Sequence, residues 1–65
     1  MTVNIDGLGK ISASKEVLSE LSMAFSKQAA YCMMRGHEEC SILADARSNA
    51  IYDALVEVGY YDDLD

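Results

Sequence analysis

Apolar and polar positions change their period as the chain is read from the N-terminus. Val3 and Ile5 alternate with Thr2 and Asn4, the period of two that marks a half-buried strand. Asp6-Gly7 follows. Glycine accepts a positive φ, so this pair predicts a type I′ turn. Leu8 to Ile11 reads as the returning strand, weakened by Gly9. Residues 1–12 are thus expected to form a short β-hairpin or an extended arm. A two-stranded hairpin alone is marginal in water, so it has to pack on something.

From residue 14 the period lengthens to three or four. Ser12 or Ser14 is positioned to cap a helix. Leu18, Leu21, Phe25, Ala29 and Cys32 then fall on one face. The back carries Glu16, Glu20 and Lys27 together with Met23, Ala30 and Met34. This predicts a helix over 14–35, stopped at Gly36. A second helix is expected over 37–58. Leu43, Ala46, Ala50 and Ala54 form one stripe of it, and Cys40, Ile51, Leu55 and Val58 an adjoining one. Gly59 stands at the helix end, where a left-handed residue closes the last turn, and Tyr60 is expected to fold back onto Leu55. Residues 59–65 remain as an acidic aromatic tail. Two helices of about 20 residues, each about 30 Å long, with a short join, describe an antiparallel helical hairpin. The expected fold class is mainly α, in the order ββαα, as one domain over 1–65.

The stripes of the second helix cover about half its circumference, more than the roughly 100° of a simple amphipathic helix. Domains near 60 residues bury only about 60% of their unfolded surface and usually need an added staple or a partner. Homodimerisation, or a higher oligomer, is therefore expected through Arg47, Ile51, Leu55 and Val58. Arg47 lies between Leu43 and Ile51 with no acid three or four residues away. It reads either as a snorkelling side chain or as an interface arginine paired with a carboxylate of the first helix or another chain. Met23 and Met34 form a second apolar surface, suited by the adaptable methionine side chain to an irregular partner.

Charge narrows the partner. The net charge is −6, unevenly placed. Residues 1–35 carry four basic against three acidic residues, and residues 36–65 carry only Arg47 against eight acids. Nucleic-acid binders neutralise phosphates with basic patches, so direct nucleic-acid binding is not expected. A helix-turn-helix reader would present its acidic second helix to the phosphates. The field favours a protein partner with a basic surface, met by Asp45, Asp53, Asp62 and Asp63. The hydrophobic fraction of 51% is too high for a disordered tail. No apolar run reaches a membrane span, and the N-terminus lacks a signal-peptide pattern. A cytoplasmic protein without membrane contact is expected.

The stretch YCMMRGHEEC, Tyr31 to Cys40, holds both cysteines and the single histidine. A helix–turn–helix junction accounts for it without chemistry. Arg35 suits the negative helix end, Gly36 the left-handed closing position, and Glu38 and Glu39 the positive start of the next helix. Cys32 and Cys40 then lie one turn to either side, facing inward as small apolar residues. A disulfide between them would close a loop of about nine residues, stabilising by somewhat under 3 kcal/mol in the chain-entropy account, though a reducing compartment disfavours it. A metal site of Cys32, His37 and Cys40 lacks a good fourth ligand and matches no common zinc spacing. His37-x-Glu39 has no P-C-x-x-C partner, and Ser41 stands where H-E-x-x-H needs a second histidine. The segment DGLGK lacks the phosphate-loop spacing. No catalytic, metal or cofactor residues are assigned.

In size and acidity the chain is similar to small phage and mobile-element proteins that block a host or defence enzyme. The functional expectation is accordingly a non-enzymatic interaction module, in its concrete form an inhibitor whose acidic surface occupies the basic groove of a nucleic-acid-handling enzyme. The alternatives are a metal- or redox-responsive protein built on Cys32, His37 and Cys40, and a structural assembly subunit.

Overall fold

The computed structural model describes residues 1–64, with side chains described as far as Asp62. Strands β1 (Thr2–Ile5) and β2 (Gly9–Ser12) precede helices α1 (Lys15–Met34) and α2 (Glu38–Glu57), and a 3-10 turn over Tyr60–Leu64 follows. The mainly helical ββαα architecture is that expected from the pattern.

The strands pair antiparallel, with Thr2 opposite Ser12, Val3 opposite Ile11, Asn4 opposite Lys10 and Ile5 opposite Gly9. The turn differs from the expected type I′. The Leu8 amide donates to the Ile5 carbonyl at 2.9 Å, Gly7 has φ +83°, and Asp6 is not in the positive region. One positive φ, at the third position of the turn, is the type II pattern. Three residues rather than two therefore join the strands. Ser12 caps no helix; its hydroxyl lies 2.7 Å from that of Thr2 across the pair. Ser14 is the N-cap of α1 and accepts from the Val17 amide at 3.2 Å.

Gly36, with φ +78°, divides the helices. The His37 amide donates to the Cys32 carbonyl at 2.8 Å and the Gly36 amide to the Met33 carbonyl at 3.1 Å. These are the two bonds of a Schellman closure. The chain thus reverses within three residues, and Glu38 and Glu39 enter the first turn of α2, where the helix dipole favours them.

Val3, Ile5, Leu18, Ile51 and Leu55 form the core, with Ile11, Leu21, Phe25, Tyr60 and Tyr61 packed around it. The alternation of β1 sends Val3 and Ile5 onto the helices and leaves Thr2 and Asn4 in solvent. This corrects the expected burial of Ile51 and Leu55 between chains. Ile51 and Leu55 are each 0% exposed inside a single chain, because the β-hairpin covers the arc of α2 that looked surplus. Val58 remains half exposed. Arg47 makes a contact that neither expected reading named. Its Nε donates to the Asp6 carbonyl at 3.1 Å, and its guanidinium lies 5.8 Å from the Phe25 ring centre, so it clasps the hairpin turn to α2. The tail is not free either. Tyr61 packs at 5.2 Å from the Tyr52 ring and edge-on to Tyr60 at 5.1 Å.

The clasp makes Gly7 sensitive. A methyl group at Gly7 would sit 2.8 Å from an Arg47 guanidinium nitrogen, whereas one at Gly9 (φ +77°) would meet nothing. Left-handed backbone costs an L-residue roughly 1–2 kcal/mol at either site. Gly7→Ala additionally displaces Arg47 from its carbonyl, a loss of about 1 kcal/mol. Urea midpoints should therefore rank Gly7→Ala below Gly9→Ala in wild type and equalise the two in an Arg47→Ala background. A gap that persists without Arg47 would contradict the clasp.

The two helices meet through small side chains. Leu18, Ser22, Phe25, Ala29 and Cys32 of α1 face Ser41, Ala44, Ser48, Ile51 and Leu55 of α2, each series stepping by three and four, the spacing of a coiled-coil seam. Ser22 Oγ donates to the Ser48 carbonyl at 3.1 Å and Ser48 Oγ to the Ser22 carbonyl at 2.8 Å. Ser41 Oγ donates to the Ala29 carbonyl at 2.9 Å. A serine hydroxyl reaches little beyond its own backbone, so these bonds require the helices to lie near the short end of the usual range, about 8 Å apart. Among the described residues no buried side-chain nitrogen or oxygen lacks a partner. Among them, too, no helix is long and apolar enough to cross a membrane.

Candidate functional site

The Cα trace measures 36 × 28 × 16 Å. The β-hairpin lies over one side of the helix pair, and the other side of the seam is open. That open side carries a continuous furrow. Near the C-terminal end Met23, Tyr52 and Tyr61 flank a depression of about 430 Å³ floored by Ser22 and Ser48. Ser26 belongs both to this depression and to the next, which runs past Ala30 and Asp45 to Met33 and Ile42. Met33, Ser41 and Ile42 continue into a third beside Gly36 and Glu38. No residue of the β-hairpin lines any of the three.

The furrow follows from the sequence locally. Serine and alanine along the seam bring the backbones close but leave no bulk to fill the outer side of the contact. The larger residues beside them point outward: Met23 is 58% exposed and Ile42 64%. Its floor is polar but satisfied, and its walls are apolar. The charged residues lining it are Asp45 and Glu38, both acidic.

Of the residues expected to bind a partner, Met23 and Asp45 come together on this face. Met34 is 87% exposed but lines none of the depressions; Met33 takes its place. Asp53 and Asp62 are exposed elsewhere on α2 and the final turn. The side chain of Asp63 lies outside the described ones. Sequence reasoning missed Met33, Ile42 and Tyr52. Their signal was the run of serines one and two turns apart, Ser19, Ser22 and Ser26 on α1 with Ser41 and Ser48 on α2, which marks a seam too small to close over.

At the far end of the helix pair Cys32 and Cys40 come together as thiols, Sγ to Sγ 3.2 Å, with Cys32 donating. Cys32 is buried and Cys40 exposed. The hydrogen bond to Cys40, then burial, push the Cys32 thiol above its ordinary value. His37 caps α2 without a side-chain bond. It lines one surface depression with Cys32 and Arg35 and another with Cys40, Glu38 and Glu39. Among the described residues no three His, Cys, Asp or Glu side chains converge as metal ligands would. Arg35 lies over the Tyr31 ring, 4.9 Å from its centre.

No protein family matches the chain, and neither a curated protein nor a solved structure proves similar to it.

Proposed function

We propose that this chain is a non-enzymatic interaction module whose open helical face receives an apolar, basic segment of another protein. The observation that carries this reading is the furrow itself: apolar walls of Met23, Met33, Ile42 and Tyr52, with Asp45 and Glu38 as the charged lining. An amphipathic helix laid in a hydrophobic groove is a standard mode of peptide recognition. Acidic rims select basic partners and reject acidic ones. A second copy of the chain is a poorer occupant, since each copy brings a net charge of −6 and like-charged rims would face each other. In its concrete form the partner is an enzyme that handles nucleic acid, blocked where its own basic surface would meet phosphate.

The test uses defined probes. A synthetic amphipathic helix of leucine and lysine and its leucine–glutamate counterpart are titrated into the labelled protein and followed by NMR. The basic peptide should shift resonances of Met23, Met33 and Ile42, and its affinity should fall as salt rises. Ile42→Glu, at an exposed site, should weaken binding roughly tenfold, the loss of one anchor. Asp45→Asn should act less, and mainly on the association rate. Equal binding of both peptides would remove the charge argument. Binding of neither, or sedimentation showing the furrow closed by a second copy, would overturn the reading.

A further inference from the structure

Neither the core nor the furrow uses the pair of thiols at the turn. We propose that Cys32 and Cys40 form a two-electron redox site, closed by hydroperoxides to an intramolecular disulfide that locks the far end of the helical hairpin.

Three observations carry the proposal. First, the sulfurs already lie 3.2 Å apart, so bonding at about 2.05 Å requires an approach of only about 1.2 Å. Second, the two cysteines are unequal in a useful way. Cys40 is exposed and accepts the hydrogen bond; Cys32 is buried and donates it. An oxidant therefore reaches Cys40, while Cys32 waits behind it. Susceptibility to oxidation follows thiolate character and exposure, and sensor cysteines commonly stand next to a resolving partner. Third, the site lies where a crosslink has most to hold. The large core residues gather at the β-hairpin end. The far half of the helix pair is joined by small side chains, Ala29, Cys32, Ser41 and Ala44, and by the Schellman closure, with Met33 and Met34 in solvent.

The chemistry balances with a hydroperoxide as the oxidant. The Cys40 thiolate attacks one peroxide oxygen and the O–O bond breaks. The leaving oxygen takes a proton and departs as water when the oxidant is hydrogen peroxide. Cys40 is now a sulfenic acid. The Cys32 sulfur attacks the Cys40 sulfur, the S–S bond forms and the S–O bond breaks. The departing hydroxide takes the Cys32 proton and leaves as a second water. Two thiols and one peroxide give one disulfide and two waters; a dithiol reductant reverses the change by exchange.

The experiment treats the full chain with one equivalent of hydrogen peroxide, then blocks free thiols and weighs the intact protein. The expected product is a monomer lighter by two hydrogens, with no blockable thiol, melting roughly 10 °C higher than the reduced chain and restored by dithiothreitol. The Cys32→Ser variant should instead accumulate a sulfenic acid on Cys40, trapped by dimedone. Disulfide-linked dimers, over-oxidation of Cys40 in the wild type, or retention of both thiols would each overturn the proposal. An unchanged melting temperature in the oxidised monomer would overturn the locking role.

Discussion

Ile51→Ala is expected to leave little folded protein at 25 °C. Ile51 is fully buried among Val3, Ile5, Leu18 and Leu55, where the β-hairpin meets both helices. Truncating a buried isoleucine to alanine costs about 2–5 kcal/mol, counting lost transfer energy and the cavity left behind. A single core in a chain of this size supplies about 3–5 kcal/mol in total. The two figures are of the same order, so one side chain decides whether the chain folds. Ile51→Val removes a single methyl and should cost about 1 kcal/mol, giving a folded protein with a lowered midpoint. Leu43→Ala, at an exposed site on the same helix, should change little. Circular dichroism melts and urea titrations read all three. The wild-type midpoint should not vary with protein concentration, because the burial is within one chain. A midpoint that climbs with concentration would return Ile51 to an interface between chains. A wild-type melt from Ile51→Ala would remove it from the core.

The second large effect separates size from polarity along the seam. Ser48→Leu places a branched side chain where the hydroxyl of one helix now touches the carbonyl of the other. The helices cannot keep that approach, and overpacking of this kind costs typically 1–3 kcal/mol or more. Against a total of about 3–5 kcal/mol, most of the stability goes. The Ser22→Ala, Ser48→Ala double variant should behave very differently. Each hydroxyl donates to a carbonyl that already lies within a helix, and the two hydroxyls face each other at 3.2 Å, so removing both together strands no buried group and costs little. The expected order of urea midpoints is wild type close to the double alanine variant, with Ser48→Leu far below. If the double alanine variant fell as far as Ser48→Leu, the hydrogen bonds rather than the close approach would hold the seam.

Much of the architecture could be read from the residues, for identifiable reasons. The alternation of Val3 and Ile5 gave a strand, the three-four spacing gave two helices, and Arg35, Gly36 and the paired glutamates marked the reversal, because each is a local preference expressed in local geometry. The proximity of Cys32 and Cys40 followed from the same reversal. Other features depend on neighbours that sequence order hides. The helix seam was assigned by counting apolar residues, which passed over Ser22, Ser41 and Ser48. A serine whose hydroxyl bonds to the facing backbone behaves as a small core residue, and nothing in its own neighbourhood says so. The arc on α2 looked surplus because its cover, the β-hairpin, stands some forty residues earlier. The furrow was seen only through Met23 and Asp45, since a groove is a property of two helices together.

The contacts that join the two halves are the longest in sequence. The strands of the β-hairpin pair residues no more than ten apart, and the serine bonds of the helix pair join residues no more than 26 apart. The bond from Arg47 to the Asp6 carbonyl spans 41. Both hairpins can form locally within microseconds, yet an isolated β-hairpin is marginal and helices in water draw most of their stability from packing. The entropy of closing the long loop grows only slowly with its length. The chain therefore samples its two halves early and repeatedly, and holds them together only once Val3 and Ile5 pack on Ile51 and Leu55.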